Sequence, residues 1–338
     1  MRVLIASTGG HGHFGPLLPF ADALADRGDD VLLAVPPELE ATVAAGRHAY
    51  RLGAAAPREI WARVSELSLQ EQSILGNREW FGRLCVEAML PTVEALCDDF
   101  APDLVLHEAA EYASAIAAHR RGIEHIQVAV SQAEVEWGSL DIAAPVLPAD
   151  VVAALRASPY ASHFPASLDP SPYPHTHRYN DAPAVASSRE LVYVTFGTTA
   201  AGLGYEPYRA ALDAVAGLDV EVLMTTGADL DLGDVPANVR VERWVPQPEA
   251  LARASLVVCH GGSGTVLGAL AAAIPLIVMP MFDDQFANAR ALEAVGAAVV
   301  AEPATLRAAI LAPPPPAHDL ARELRAAPPP LTALRRAR

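Results

Sequence analysis

Short apolar segments alternate with helix-like segments twice along this chain, and this alternation restricts the possible folds more than any other feature. The first series of strand-like runs covers residues 3–6, 31–35, 104–107 and 125–130. The second series covers residues 191–196, 220–225, 239–244, 256–260, 276–279 and 297–300. Strands that alternate with helices form parallel sheets with helices on both faces. The sequence therefore predicts two α/β domains, each with a doubly wound sheet.

The segments between these runs set the expected domain boundaries. Helix-like patterns cover residues 17–27, 80–97, 113–121 and 207–216. We expect a first domain over residues 1–168, a proline-rich linker over 169–188 and a second domain over 189–312. Residues 313–338, which carry two proline runs, are expected to form helices that pack on the first domain. A chain of 338 residues is long enough for two such domains.

Composition excludes several classes of function. The net charge of −16 disfavours nucleic acid and anionic membranes as partners, because both require a basic surface. Every basic residue is arginine, so the chain has neither a Schiff-base lysine nor a P-loop lysine. The three cysteines form no C-x-x-C pair, which indicates a reducing, cytoplasmic location. The uncharged residues 265–282 contain two prolines, which favours a buried helix followed by a strand over a membrane helix.

The turn after the first strand, residues 10–15, reads G-H-G-H-F-G. It satisfies the G-x-G-x-x-G pattern of dinucleotide-binding enzymes. The acidic residue that binds the ribose, roughly 20 residues downstream in such enzymes, is missing, because the second strand ends in Pro36 and Pro37. The histidines favour a catalytic role for this turn. An imidazole, with an ordinary pKa of about 6.5, can accept a proton near neutral pH. His13 is the main candidate and His11 a weaker one.

A second glycine-rich turn, residues 261–265, joins the strand-like run 256–260 to an alanine-rich helix. Backbone N–H groups at a helix start bind phosphate groups. Trp244, after the run 239–244, can stack on a nucleobase. Asp284 and Gln285, after another strand, suit hydroxyl recognition. Each feature also has a plain structural explanation: a tight turn, a core tryptophan and a solvated loop.

Taken together, the elements W-x-P-Q at 244–247, H-G-G-x-G-T at 260–265 and D-Q at 284–285 resemble the nucleotide-sugar signature of GT-B fold glycosyltransferases. The chain looks most like family-1 enzymes of bacterial natural-product pathways. The resemblance extends over nearly the whole chain, including P-D-L-V-L-H-E at 102–108 and V-Y-V-T-F-G-T at 192–198. It implies two Rossmann-like domains whose parallel sheets face each other across a cleft. It also implies an inverting glycosyltransferase that needs no metal and no cofactor besides a dTDP- or UDP-sugar co-substrate.

The resemblance assigns roles in donor binding. Trp244 would stack on the uracil or thymine, and Gln247 would lie beside the base and ribose. Asp284 and Gln285 would contact sugar hydroxyls. The residues expected to hold the diphosphate are His260, Gly262, Ser263, Gly264 and Thr265. The residues expected to approach the donor from another side are Gly197 and Thr198.

The resemblance also assigns the catalytic pair. Residues 12–16 match the family motif G-H-x-x-P, whose histidine is the general base. His13 would deprotonate an acceptor hydroxyl. The family places an aspartate after its P-D-L-V strand to orient this histidine, whereas this chain has Glu108, which is one methylene longer. Glu111 is the reserve candidate for this orienting role.

The acceptor is expected in the first domain and, by family analogy alone, is a small hydrophobic natural product. Candidate lining residues are Trp61, Trp80, Phe81 and Trp137, although core packing explains each of them equally well. The aspartate pairs at 29–30, 98–99 and 283–284 do not have metal-site spacing. The sequence leaves open whether the chain acts alone or as a homodimer.

Three alternative functions are consistent with parts of the sequence. One is a nucleotide-sugar-binding protein without turnover. Another is a sugar-nucleotide epimerase or a peptidoglycan-type GlcNAc transferase of the same two-domain plan. The third is an NAD-dependent dehydrogenase that binds its cofactor at residues 10–15.

Overall fold

The computed structural model describes residues 1–62, 64–180, 187–197, 206–282 and 284–337. The chain divides into two compact units. The first unit comprises residues 1–163, 170–181 and 328–338, and the second comprises residues 164–169 and 182–327.

Each unit is built on one sheet in which all neighbouring strands are parallel. The first sheet contains β1 (Arg2–Ala6), β2 (Asp30–Val35), β3 (Ala49–Leu52), β4 (Leu104–Glu108), β5 (His125–Val128), β6 (Tyr160–Ser162) and β7 (Thr176–Arg178), in the order β3-β2-β1-β4-β5-β6-β7. The second contains β8 (Leu191–Thr195), β9 (Glu221–Thr225), β10 (Val239–Glu242), β11 (Ala254–Cys259), β12 (Leu276–Val278) and β13 (Ala298–Val300), in the order β10-β9-β8-β11-β12-β13. The prediction of two parallel α/β sheets is confirmed.

Helices connect the strands and cover both faces of each sheet, as the burial of the central strands requires. The α-helices are α1 (His11–Phe14), α2 (Leu18–Asp26), α3 (Glu40–Ala44), α4 (Leu69–Ile74), α5 (Val86–Asp99), α6 (Tyr112–Arg121), α7 (Ala133–Ala143), α8 (Ala149–Ala157), α9 (Glu206–Val215), α10 (Gln247–Leu251), α11 (Ser263–Ala271), α12 (Gln285–Ala294), α13 (Leu306–Leu311), α14 (His318–Ala326) and α15 (Pro330–Ala337). Short 3₁₀ helices cover Gly15–Leu17, Pro37–Leu39, Arg58–Trp61, Val64–Glu66 and Ala144–Val146. A π-helix spans Leu75–Cys85.

Alternate residues of the central strands bury opposite faces of the sheet. In β1, Val3 and Ile5 belong to the core beneath α2, whereas Leu4 and Ala6 pack with the residues of α5. This period of two is the geometry of a strand, and burial on both faces is typical of parallel sheets. It explains why the central strands are continuous apolar runs in the sequence.

The helix expected over residues 80–97 is two different elements. Residues up to Cys85 belong to the π-helix, and a regular α-helix begins only at Val86. Gly82 lies where the π-helix approaches the next layer, since a Cβ there would stand 2.9 Å from Val146 Cγ2. Periodicity alone does not distinguish a π-turn from an α-turn, because both present apolar residues at similar spacing.

Two segments differ from the expected domain plan. The stretch expected to be a linker includes β7, which is the edge strand of the first sheet. Prolines surround β7, and edge strands tolerate them because one side of the strand is unpaired. The terminal segment is divided between the units: α14 packs on α11 in the second unit, whereas α15 packs on α2 and β7 in the first.

The uncharged residues 265–282 are divided between the rest of α11 and strand β12, which confirms the expected helix and strand. Over the part of the chain that the structure describes, no helix is both long and apolar enough to span a bilayer.

Candidate active site

A candidate catalytic site lies at the carboxyl edge of the first sheet. Strands β1 and β4 are neighbours, and Ala6 is paired with His107. The chain that leaves β1 and the residue that ends β4, Glu108, therefore emerge side by side. Helix α1, which carries His13, follows β1 directly. This adjacency joins residues that are almost a hundred positions apart in the sequence.

The histidine and the carboxylate predicted to form the catalytic pair are in contact. His13 Nδ1 lies 3.1 Å from Glu108 Oε2. The Glu108 side chain is fully buried, whereas the His13 side chain retains 26% of its exposure. The carboxylate favours the tautomer with the proton on Nδ1, and in that tautomer Nε2 is the nitrogen that can accept a proton. The extra methylene of Glu108 thus does not prevent the contact.

The surroundings of Glu108 keep its carboxylate ionised. Oε1 accepts hydrogen bonds from Thr8 N at 3.0 Å and Thr8 Oγ1 at 2.5 Å, and Oε2 accepts one from Ala110 N at 2.7 Å. Burial alone would raise the pKa of Glu108, but the His13 charge and these hydrogen bonds outweigh burial and lower that pKa to about 2. The histidine therefore faces a negative charge at any pH near neutrality.

Glu111, the reserve candidate, has a different task. Its carboxylate accepts hydrogen bonds from Ser114 N at 2.9 Å and from the Ser114 hydroxyl, and so caps α6. Burial raises the pKa of Glu111 to about 7. Of the two carboxylates, it is Glu108 that contacts the imidazole.

An aromatic cluster formed by the π-helix and the 3₁₀ helix Arg58–Trp61 reaches this pair through Phe81. The Phe81 ring centroid is 5.2 Å from that of His13, at an interplanar angle of 39°. The Trp61 and Trp80 rings meet edge to face at 5.6 Å. The Arg58 guanidinium lies 5.8 Å from the Trp80 centroid. Three of the four predicted acceptor-lining residues thus belong to one aromatic cluster, and Phe81 reaches the histidine.

Trp137 lies in a different cluster. Its ring meets Tyr173 edge to face at 5.1 Å, and the Arg156 guanidinium is 5.3 Å from its centroid. The structure does not bring Trp137 together with the other three aromatic residues, and its packing is that of a structural residue.

A candidate anion-binding site lies at the carboxyl edge of the second sheet. Strand β11 ends at Cys259, and α11 begins at Ser263 with Gly262 as its N-cap. The first N–H groups of a helix have no partner within the helix, and together with the helix dipole they attract anions. The turn therefore has the geometry of a phosphate site.

Two glycines make room for the imidazole of His260. A Cβ on Gly262 would lie 2.4 Å from His260 Nε2, and a Cβ on Gly197, whose φ is 76°, would lie 2.9 Å from it. Any side chain at either position would displace the ring. Burial lowers the pKa of His260 to about 4, against a smaller opposing effect of a hydrogen bond to the Thr195 backbone, so the imidazole is neutral near pH 7.

A hydrogen bond connects two of the predicted donor-binding motifs. Gln247 Nε2 donates to Thr265 Oγ1 at 3.0 Å. This hydrogen bond connects the W-x-P-Q segment to the glycine-rich turn, which ends at Thr265. Trp244, three residues before Gln247, is 67% exposed. Its large apolar surface is therefore not needed by the core and is open to a ligand.

The D-Q element supports the same turn from the start of α12. Ser263 Oγ donates to Asp284 Oδ2 at 3.3 Å. The Gln285 side-chain oxygen accepts from Met281 N at 2.9 Å and Phe282 N at 3.3 Å. Gln285 is buried, and its side-chain oxygen is occupied by these two backbone donors.

Thr198 and Asp283 lie outside the described residues. Within the described ranges, the structure contains no group of three histidine, cysteine, aspartate or glutamate side chains placed to hold a metal ion.

Two residues of the site were missed by sequence reasoning. Thr8 lies two positions after the end of β1. Its contact with Glu108 depends on the strand order β2-β1-β4, and the sequence alone does not give that order. Asn288 donates through Nδ2 to Gly261 O at 2.9 Å and Ser263 Oγ at 3.3 Å, and so connects α12 to the glycine-rich turn. It lies one helical turn after Gln285, and that i, i+3 spacing was the available signal.

Comparison with known families settles the class of this chain. The profile for the N-terminal domain of the erythromycin biosynthesis protein CIII-like family matches residues 23–193, and the profile for its C-terminal domain matches residues 209–316. The chain belongs to the erythromycin biosynthesis protein CIII-like family. It is a GT-B glycosyltransferase of antibiotic-biosynthesis type, as the resemblance implied.

Similar proteins include two curated Streptomyces enzymes. The chain is 30% identical to L-demethylnoviosyl transferase of Streptomyces niveus, over 88% of this chain and 84% of that enzyme. It is 30% identical to the elloramycin glycosyltransferase of Streptomyces olivaceus, over 98% of this chain and 95% of that enzyme. A solved structure of the spinosyn rhamnosyltransferase complexed with thymidine diphosphate shares the fold, with a TM-score of 0.80, 22% identity and 99% coverage of both chains.

Proposed function

We propose that this family member is an inverting glycosyltransferase that moves a sugar from a dTDP- or UDP-sugar to a hydroxyl of a small hydrophobic natural product. The contact between His13 and the ionised Glu108 carries this proposal. A protein that only binds a nucleotide sugar has no need of a buried carboxylate directed at an imidazole.

The reaction we infer is a single displacement. His13 Nε2 takes the proton of the acceptor hydroxyl, and the resulting imidazolium is stabilised by Glu108. The acceptor oxygen then forms a bond to the anomeric carbon on the face opposite the diphosphate. As the carbon–oxygen bond to the diphosphate breaks, the electron pair leaves with the diphosphate. Attack from the opposite face inverts the anomeric configuration.

The second unit supports this proposal through its anion-binding turn. The turn before α11 is held by the contacts of Gln247 with Thr265, of Asp284 with Ser263 and of Asn288 with Gly261, and we infer that the N–H groups at the start of α11 receive the negative charge that develops on the leaving diphosphate. Donors fixed in advance stabilise such a charge without reorganisation. We therefore propose that the transfer needs no metal ion. The aromatic surface of Phe81 beside His13 favours a hydrophobic acceptor.

The test compares wild type with His13→Ala, using a panel of dTDP- and UDP-sugars and aromatic or polyketide aglycones. Thermal shift identifies the donor first, and transfer is then followed by chromatography in buffer with EDTA. We expect His13→Ala to lose transfer and to keep the wild-type affinity for the nucleoside diphosphate. His119→Ala, a change at a partly exposed histidine of α6 paired with Asp150, serves as the matched control.

Three outcomes would contradict parts of the proposal. Full transfer by His13→Ala would remove the assigned base. Nucleotide-sugar binding without transfer in wild type, across the whole panel, would favour the binding-protein alternative. Retention of the donor's anomeric configuration in the product would contradict the single displacement.

A further inference from the structure

The carboxylate of Glu108 is held by more than the histidine that it orients. Its two oxygens accept three hydrogen bonds, of which Thr8 donates two, both to Oε1. Oε2 accepts the third from Ala110 N and lies 3.1 Å from His13 Nδ1. Thr8 is 2% exposed and Glu108 is fully buried. Water therefore does not substitute for either Thr8 donor.

The fold explains why Thr8 occupies this place. Ala6 ends β1 opposite His107 of β4, so the two residues that follow β1 pass alongside the end of β4. Ser7 N donates to Ala34 O at 3.2 Å and Ser7 Oγ donates to Thr8 O at 2.8 Å, which fixes the backbone on both sides of the Thr8 amide. The Thr8 donors are thus presented by the sheet rather than by a mobile loop.

On these contacts we propose that Thr8 is a positioning residue for the transfer reaction. By binding Oε1 through its N–H and its hydroxyl, Thr8 fixes the rotation of the Glu108 carboxylate and turns Oε2 toward His13 Nδ1. A glutamate side chain has one more rotatable bond than an aspartate side chain. The two hydrogen bonds from Thr8 restrict rotation about that additional bond. The inference rests on the proposed role of His13 as the base.

The position of Thr8 predicts a specific pattern of effects. Thr8→Val removes the hydroxyl but keeps the N–H and the approximate shape, so Glu108 stays in place with a looser orientation. Because a misplaced catalytic group lowers the rate of the chemical step, we expect kcat to fall roughly 10- to 100-fold. Donor KM should not change, since the anion-binding turn belongs to the second unit. Thr8→Ser restores the hydroxyl, and its kcat should return to within about threefold of wild type.

The experiment measures kcat, donor KM and melting temperature for wild type, Thr8→Val and Thr8→Ser. Ser114→Ala is the matched control, because it removes a hydroxyl donor from another buried glutamate, Glu111, that does not contact the imidazole. Thr8→Val is also made in a Glu108→Gln background. There we expect no further loss of kcat, since the carboxylate that Thr8 positions is already gone.

The outcomes separate this inference from the proposed function. Wild-type kcat in Thr8→Val, a failure of Thr8→Ser to rescue, or losses that multiply in the double variant would each overturn the role of Thr8. If His13→Ala is inactive while Thr8→Val is fully active, only the inference about Thr8 fails. If His13→Ala is fully active, the proposed base fails first.

Discussion

Replacing Trp244 with alanine should weaken nucleotide binding without weakening the fold. The Trp244 side chain is 67% exposed, so its removal leaves no cavity, and we expect the free energy of unfolding to change by no more than about 0.5 kcal/mol. Stacking of a base on an aromatic ring contributes roughly 1–3 kcal/mol. At about 1.4 kcal/mol for each tenfold change, the Kd for uridine or thymidine diphosphate should rise roughly 5- to 150-fold.

Isothermal titration calorimetry checks this prediction with two ligands. The nucleoside diphosphate measures the whole site, whereas inorganic pyrophosphate, which has no base, measures the turn before α11 alone. Only the first Kd should change in Trp244→Ala. Leu311→Ala is the control, because Leu311 is 65% exposed at the end of α13 in the same unit and should affect neither ligand. Unchanged nucleoside diphosphate affinity in Trp244→Ala would refute the stacking role.

Three further predictions concern packing, geometry and pH. Gly262→Ala places a methyl group 2.4 Å from His260 Nε2, and we expect this overpacking to destabilise the fold by about 1–3 kcal/mol. The melting temperature in calorimetry should therefore fall by several degrees, and an unchanged melting temperature would contradict the contact. Glu108→Asp shortens the side chain, so that the carboxylate no longer reaches all of its hydrogen-bond donors. We expect kcat to fall roughly 10- to 100-fold while the affinity for the nucleotide sugar stays constant. A wild-type kcat would show that the length of this side chain is immaterial. Burial lowers the pKa of His107 to about 4, below the unfolded value of about 6.5, so its stabilising contribution is lost as pH falls from 6.5 toward 4. Between pH 7 and pH 5 urea titrations should show wild type losing about 2 kcal/mol more than His107→Asn, and equal losses would contradict this pKa.

The parts of the fold that could be predicted are those whose signal is local. Strands β1 and β4 are continuous apolar runs because both of their faces are buried, and their predicted bounds agree with the structure to within a residue. Strands β3, β6 and β7 were not predicted. They are three or four residues long, and two of them mix polar with apolar side chains. Such strands exist because a neighbouring strand offers hydrogen bonds, and sequence periodicity does not contain that information.

In the candidate site, too, the sequence predicted the local features and missed the contacts between separate segments. The glycine-rich turn at residues 261–265 is contiguous in sequence, so its chemistry could be predicted from the order of residues alone. The contacts that hold it, such as Gln247 to Thr265, could not, since they depend on how loops from separate strands meet. Likewise His13 and Glu108 were assigned by motif resemblance, whereas the contribution of Thr8 required the strand order.

The proposed reaction requires the diphosphate to bind at the turn before α11, and a crystal structure of the chain soaked with thymidine or uridine diphosphate shows where it binds. We predict diphosphate oxygens within hydrogen-bonding distance of the N–H groups of Ser263 and Gly264, with the base against Trp244. Diphosphate bound instead at the glycine turn of residues 10–15 would contradict this binding position and would favour a dinucleotide-binding enzyme.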